Sequence, residues 1–133
     1  NTNLVCVGSD RKDECEMMKN AVGKKVYKAC GKYDIIQTSA IATQANVLLT
    51  TDTAVIHIAI AFKKKIISVW RNTVPEFGRY PFLPHPTSEI LEVKDLNCRP
   101  CTKIGFKECP KKHFKCINEL DEDYIVKKIN ELY

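Results

Sequence analysis

Val47-Leu48-Leu49-Thr50-Thr51-Asp52-Thr53-Ala54-Val55-Ile56-His57-Ile58-Ala59-Ile60-Ala61 is the stretch on which the fold turns. Val47 to Thr50 form a short run rich in β-formers, without the polar alternation of a half-exposed strand. Asp52 and Thr53 supply turn and cap chemistry. Over about 54–62 apolar residues surround nearly the whole helical circumference, which predicts a largely buried helix. A second apolar run, Ile66-Ile67-Ser68-Val69-Trp70, follows at once. Strand, turn, buried helix and strand in that order predict a parallel sheet covered on both faces.

The flanks extend the pattern. Leu4-Val5-Cys6-Val7, closed by Gly8-Ser9, reads as another buried strand. Asp10 then caps a helix whose Cys15, Met18 and Val22 share one face, with Gly23 at its end. Thr38 or Ser39 is the expected cap of a second helix reaching Ala45. Residues 89–93 predict a shorter fourth strand. Pro75, Pro81, Pro84 and Pro86 mark 71–86 as a long loop, of a length that usually serves a function. A cysteine-rich loop over 97–117 leads to a C-terminal helix over 119–133. Asp121 is its expected cap, and Ile125, Ile129 and Leu132 form its apolar stripe. The expected fold is α/β: a Rossmann-like parallel sheet flanked by helices, in one domain spanning 1–133.

Composition limits the function. The apolar fraction is 44% and the charged fraction 28%, as expected of a globular domain rather than a disordered chain. The longest apolar stretch, over 55–62 and interrupted by His57, falls far short of the roughly 20 residues that cross a bilayer. With no signal-peptide pattern, the expected location is cytoplasmic. The net charge of +5 suits a solvated lysine surface, an anionic ligand or the face of an anionic membrane. The lysines are scattered and no RNA-binding aromatic motif appears, so nucleic acid is not an expected partner. Of seven cysteines, Cys6, Cys15 and Cys30 read as reduced core thiols.

In open parallel sheets, ligands bind beyond the carboxyl ends of the strands. The Asp52 loop occupies such a position and opens a helix, whose free N–H groups and dipole attract phosphate. Thr53 and His57 are four residues apart and share a helix face near that end. Ala54 is small enough for a ligand to approach the backbone. The structural alternative is an Asp that only caps the helix and a His that is only a hydrogen-bonded core residue.

These residues resemble the signature of the ADP-heptose–lipopolysaccharide heptosyltransferases: Asp, Ser or Thr, Gly, two apolar residues, His, and an Ala-rich helix. The 66–70 strand and Asn72-Thr73-Val74-Pro75 resemble the family's next strand and loop. Cys98-Arg99-Pro100-Cys101, Glu108-Cys109-Pro110, His113 and Lys115-Cys116 resemble a cysteine pattern near the end of many members. The resemblance covers 47 to the C-terminus. It implies the C-terminal, donor-binding half of a GT-B glycosyltransferase, in which Asp52, Thr53, Ala54 and His57 bind a nucleotide-sugar. The donor it implies is ADP-heptose, and the acceptor is the lipopolysaccharide core, with possible contact at the inner membrane. The resemblance also implies that the acceptor domain and the general base lie outside this chain, which would start at the second strand of the donor domain. No catalytic residue is therefore assigned here, and the isolated chain is expected to be inactive.

The sequence departs from the family pattern at Ala54, where Gly is usual, and at Arg71, which stands where relatives often have Gly and either clamps a phosphate or faces solvent. Asp13 or Glu14 corresponds ambiguously to an acidic residue that contacts the nucleoside in relatives. No organic cofactor is expected. Cys98, Cys101, Cys109 and Cys116 leave three states open: thiol, disulfide or a structural zinc. Two other functional classes remain: a nucleotide-binding module without chemistry, and a zinc-stabilised interaction domain. The lack of a Gly-x-Gly-x-x-Gly turn counts against dinucleotides.

Overall fold

The computed structural model describes residues 3–8 and 12–133. The expected Asp10 cap and Ser9 turn fall outside these residues. The chain groups into two compact units, Asn1–Ile41 and Ala42–Tyr133.

In the first unit, strand β1 (Leu4–Cys6) is followed by helix α1 (Lys12–Val22), and strand β2 (Val26–Lys28) pairs parallel with β1. Gly23 ends α1 at φ 84, a left-handed conformation that costs glycine little. The sequence reading missed β2 because three residues with one fully buried apolar side chain, Val26, carry no periodic signal. Helix α2 (Ile35–Gln44) begins earlier than expected. Its cap is Asp34, not Thr38 or Ser39: Asp34 Oδ1 accepts from the Gln37 backbone N–H at 2.8 Å, and Gln37 Oε1 accepts from the Asp34 N–H at 3.1 Å. Two orphan amides are thus satisfied reciprocally.

The cysteine reading is also corrected. Cys15 on α1 and Cys30 after β2 form a disulfide, with Cα atoms 6.3 Å apart, and only Cys6 of the three is a free thiol. Packing α1 against the strands brings the two sulfurs together, which no sequence spacing specifies. Denatured without reductant, the chain is expected to show five reactive thiols, rising to seven after reduction. Seven thiols before reduction would refute the bond.

The second unit holds a three-stranded parallel sheet, so the strands form two sheets where one was expected. Its order is β3 (Val47–Thr51), β4 (Lys65–Trp70) and β5 (Glu89–Glu92), with β4 in the centre. Helix α3 (Ala54–Ala61) joins β3 to β4. Ile66, Ile67, Ser68 and Trp70 are all buried, which explains why this strand lacks alternation. Ala42, Leu48, Ala59 and Ile66 form the core cluster. The all-round apolar character of α3 exceeds its burial: Ile56 and Ala59 are inside, while Ala54, His57 and Ala61 face out.

The β4–β5 connection contains no α-helix, only a single 3-10 turn at Pro75–Phe77. Helix α4 (Lys115–Asn118) emerges within the expected cysteine loop. The final helix, α5, spans Glu122–Leu132 rather than starting at 119, and Asp121 caps it by accepting from the Tyr124 N–H at 2.8 Å. Lys128 Nζ and Tyr124 Oη both reach Glu89, each at 2.8 Å, tying α5 to β5. The Lys128 ammonium, aided by Tyr124, holds the Glu89 carboxyl below its ordinary pKa.

Candidate functional site

Because β3 and β4 pair in parallel register, Thr51 opposite Val69, their carboxyl ends lie side by side. The loop opening α3 therefore adjoins the loop that starts at Arg71, as expected of a ligand edge.

Asp52 does not cap α3. Its Oδ2 accepts from Arg79 Nη1 at 2.6 Å and from the Thr73 hydroxyl at 3.2 Å. The carboxylate thus ties the two loops together across the strand ends. Its side chain keeps 17% of its exposure and that of Arg79 keeps 36%, so the pair is screened only in part. The cap position falls to Thr53, whose backbone is extended and whose side chain makes no capping bond. Its hydroxyl lies 3.1 Å from that of Thr50 instead. The two residues able to cap α3 both turn away from its first-turn amides, leaving no side-chain cap at that end.

Thr53, Ala54 and His57 are all exposed, so the alternative of His57 as a core residue is excluded. The structure brings the four sequence-derived residues to one helix end. The two cavities described, of about 40 and 230 Å³, lie elsewhere. Arg71 lines the smaller cavity with Asn72, Cys101, Cys109 and Cys116. Asp13 and Glu14 stand in the first turn of α1, in the other unit. Sequence reading missed Arg79. The only signal for it was its place in a long, proline-rich loop.

A second network fixes the loop after β4. Arg99 donates from Nε and Nη2 to the Thr73 carbonyl, at 3.2 and 2.9 Å, from Nη1 to the Val93 carbonyl, and from Nη2 to Glu92 at 2.5 Å. Cys101 N–H donates to the Asn72 carbonyl at 2.9 Å, and Asn72 Nδ2 to the Phe106 carbonyl at 2.7 Å. Gly105 sits so close that a Cβ there would come within 2.5 Å of Asn72 Oδ1. The cysteine segment and the Arg71–Thr73 loop are therefore one bonded assembly.

The chain is similar to known proteins over most of its length. Residues 1–114 match Glycosyltransferase family 9 (heptosyltransferase). Lipooligosaccharide heptosyltransferase 2 of Campylobacter jejuni subsp. jejuni serotype O:6 is 26% identical over 108 residues, 81% of this chain and 32% of that protein. Its serotype O:2 counterpart is 24% identical over the same shares. A crystal structure of a glycosyl transferase family 9 protein from Veillonella parvula is similar in fold, with a TM-score of 0.73 at 22% identity, over 98% of this chain and 36% of that one. The chain spans about a third of the length of these relatives.

Proposed function

The chain belongs to glycosyltransferase family 9, the heptosyltransferase family, and from that premise we propose that the start of α3 holds the diphosphate of a nucleotide-sugar donor. The donor is ADP-heptose and the acceptor is the core of lipopolysaccharide. The observation that carries this reading is the uncapped start of α3, flanked by an exposed threonine and histidine.

Each group has a role. The first-turn amides and the helix dipole face the diphosphate and stabilise negative charge as the nucleoside diphosphate leaves. His57, one turn along the same face as Thr53, donates to a phosphate oxygen. The exposed Ala54 leaves its backbone open to the ligand. Asp52 gives Oδ2 to Arg79 and Thr73, which leaves Oδ1 to accept from a sugar hydroxyl. Arg79 also offsets the repulsion between that carboxylate and the phosphates. The acceptor and the general base belong to a further domain of the whole protein, so the 133-residue chain is proposed to bind donor without turning it over. The reaction takes place at the cytoplasmic face of the inner membrane, and the +5 net charge favours contact with anionic lipid there.

Calorimetric titration with ADP tests the reading. The wild-type chain should bind, and His57→Ala should weaken binding about tenfold, roughly 1.4 kcal/mol. Its circular dichroism should not change, because the imidazole is exposed. A wild-type chain indifferent to ADP defeats the proposal, and equal affinity for ADP, GDP and UDP defeats the choice of nucleotide.

A further inference from the structure

We propose that Cys98, Cys101, Cys109 and Cys116 bind one zinc ion as a tetrathiolate site, which fastens the 98–116 segment to the loop after β4.

The fold gathers these residues from an irregular stretch. Cys101, Cys109 and Cys116 line one cavity of about 40 Å³ together with Arg71, Asn72 and Phe106. Cys98 joins them through the short connection on which the Cys101 thiol donates to the Cys98 carbonyl at 3.4 Å. The Cys101 sulfur lies within electrostatic reach of the other three. Three sulfurs around one small space, with a fourth three residues before the first of them and no disulfide among the four, are a soft donor set that selects zinc or iron over hard cations.

Donor groups and cations also border these cysteines. Backbone N–H groups of 111–114 lie around the Cys109 sulfur. Lys112 and Phe114 adopt positive φ, of 56 and 48, to place this turn, a conformation that side chains rarely accept. Arg71 and Lys107 border the cavity, and Arg99 lies beside Cys101, so cations offset the net negative charge of a zinc tetrathiolate.

His113 is excluded as a fifth candidate ligand. Its Nδ1 accepts from the Lys115 N–H at 3.0 Å, which leaves Nε2, 3.7 Å from the Cys98 sulfur, as the donor nitrogen of the ring. It acts as a donor supporting a thiolate, a common arrangement around metal ligands. Thr102, next along the chain from Cys101, buries a hydroxyl oxygen that has no partner in this arrangement.

Among the described residues, only the Cys6, Cys15 and Cys30 sulfurs already lie within 4.8 Å of one another, and two of these are consumed by a disulfide. The C-terminal four must draw inward to the roughly 3.8 Å separation that zinc–sulfur bonds of about 2.3 Å require. Metal binding should therefore tighten the segment, with a measurable gain in stability.

The test uses the intact chain, purified with its cysteines protected from oxidation. Elemental analysis should find about one equivalent of zinc. Cobalt(II) added to the chelated chain should give the visible absorption of a tetrahedral thiolate complex, and zinc should abolish it. Chelation should lower the thermal midpoint and expose four further thiols to a thiol reagent. Cys109→Ser and Cys116→Ser should lose the metal, while Cys6→Ser retains it. If the serine variants fail to fold, the cobalt spectrum of the wild-type chain still decides. Zinc and cobalt binding below about a tenth of an equivalent overturns the site. Zinc retained by a Cys109→Ser/Cys116→Ser double variant overturns the ligand assignment, and iron in place of zinc overturns the choice of metal.

Discussion

Trp70→Ala is expected to destabilise the chain by about 3–5 kcal/mol, read as a fall in the urea midpoint. That is a large share of the roughly 5–15 kcal/mol available to a domain. Trp70 has no exposed surface and closes the central strand β4, so its removal leaves a cavity that rigid neighbours cannot fill. A polar chain is lost with it: the indole N–H donates to Ser68 Oγ at 3.2 Å, and Ser68, also buried, donates to the Glu89 carbonyl at 3.2 Å. Trp70→Phe keeps most of the bulk but loses the N–H bond and part of the ring volume, so about 1–2 kcal/mol is expected. The effect should reach the site, because the next residues lead to Thr73, whose hydroxyl holds Asp52. A loss below about 1 kcal/mol for the alanine variant would mean that the strand is not packed as described.

Glu92→Ala is expected to cost about 2–4 kcal/mol, because it leaves the Arg99 charge buried without a counter-ion. The Arg99 side chain is 7% exposed and Glu92 19%, so this pair is unlike the screened pairs of the surface. The estimate sits toward the low side because Arg99 keeps its bonds to the Thr73 and Val93 carbonyls. Glu92→Gln retains an acceptor oxygen and should cost about half as much. Because Arg99 stands between Cys98 and Cys101, the alanine variant should also make those thiols react faster in the metal-free chain. A loss under about 0.5 kcal/mol would place the pair among ordinary surface contacts.

The proposed donor site and the cysteine segment thus meet at one short stretch. Thr73 gives its hydroxyl to Asp52 and its carbonyl to Arg99. A change in the cysteine segment therefore has a direct hydrogen-bonded path to the carboxylate beside α3.

The sequence by itself determined β3, α3 and β4 nearly to the residue, because each is a predominantly apolar run of the right length, bounded by turn or charged residues. It determined the Asp121 cap and the grouping of Thr53, Ala54 and His57 at one helix end, since local dihedrals and helical spacing are properties of neighbours, but only the tertiary structure decided that His57 is exposed rather than a core residue. Asp34-Ile35-Ile36-Gln37 also carried a readable cap signal, although Thr38 and Ser39 drew the reading away from it. Only the tertiary structure decided that Asp52 serves Arg79 and Thr73 rather than the helix, that Cys15 joins Cys30, and that Arg99 is buried on Glu92. In each case the partner is chosen by where irregular chain passes in space. Long loops carry no periodicity from which that path can be read, and the energy of a charge depends on how much water the surrounding chain has removed.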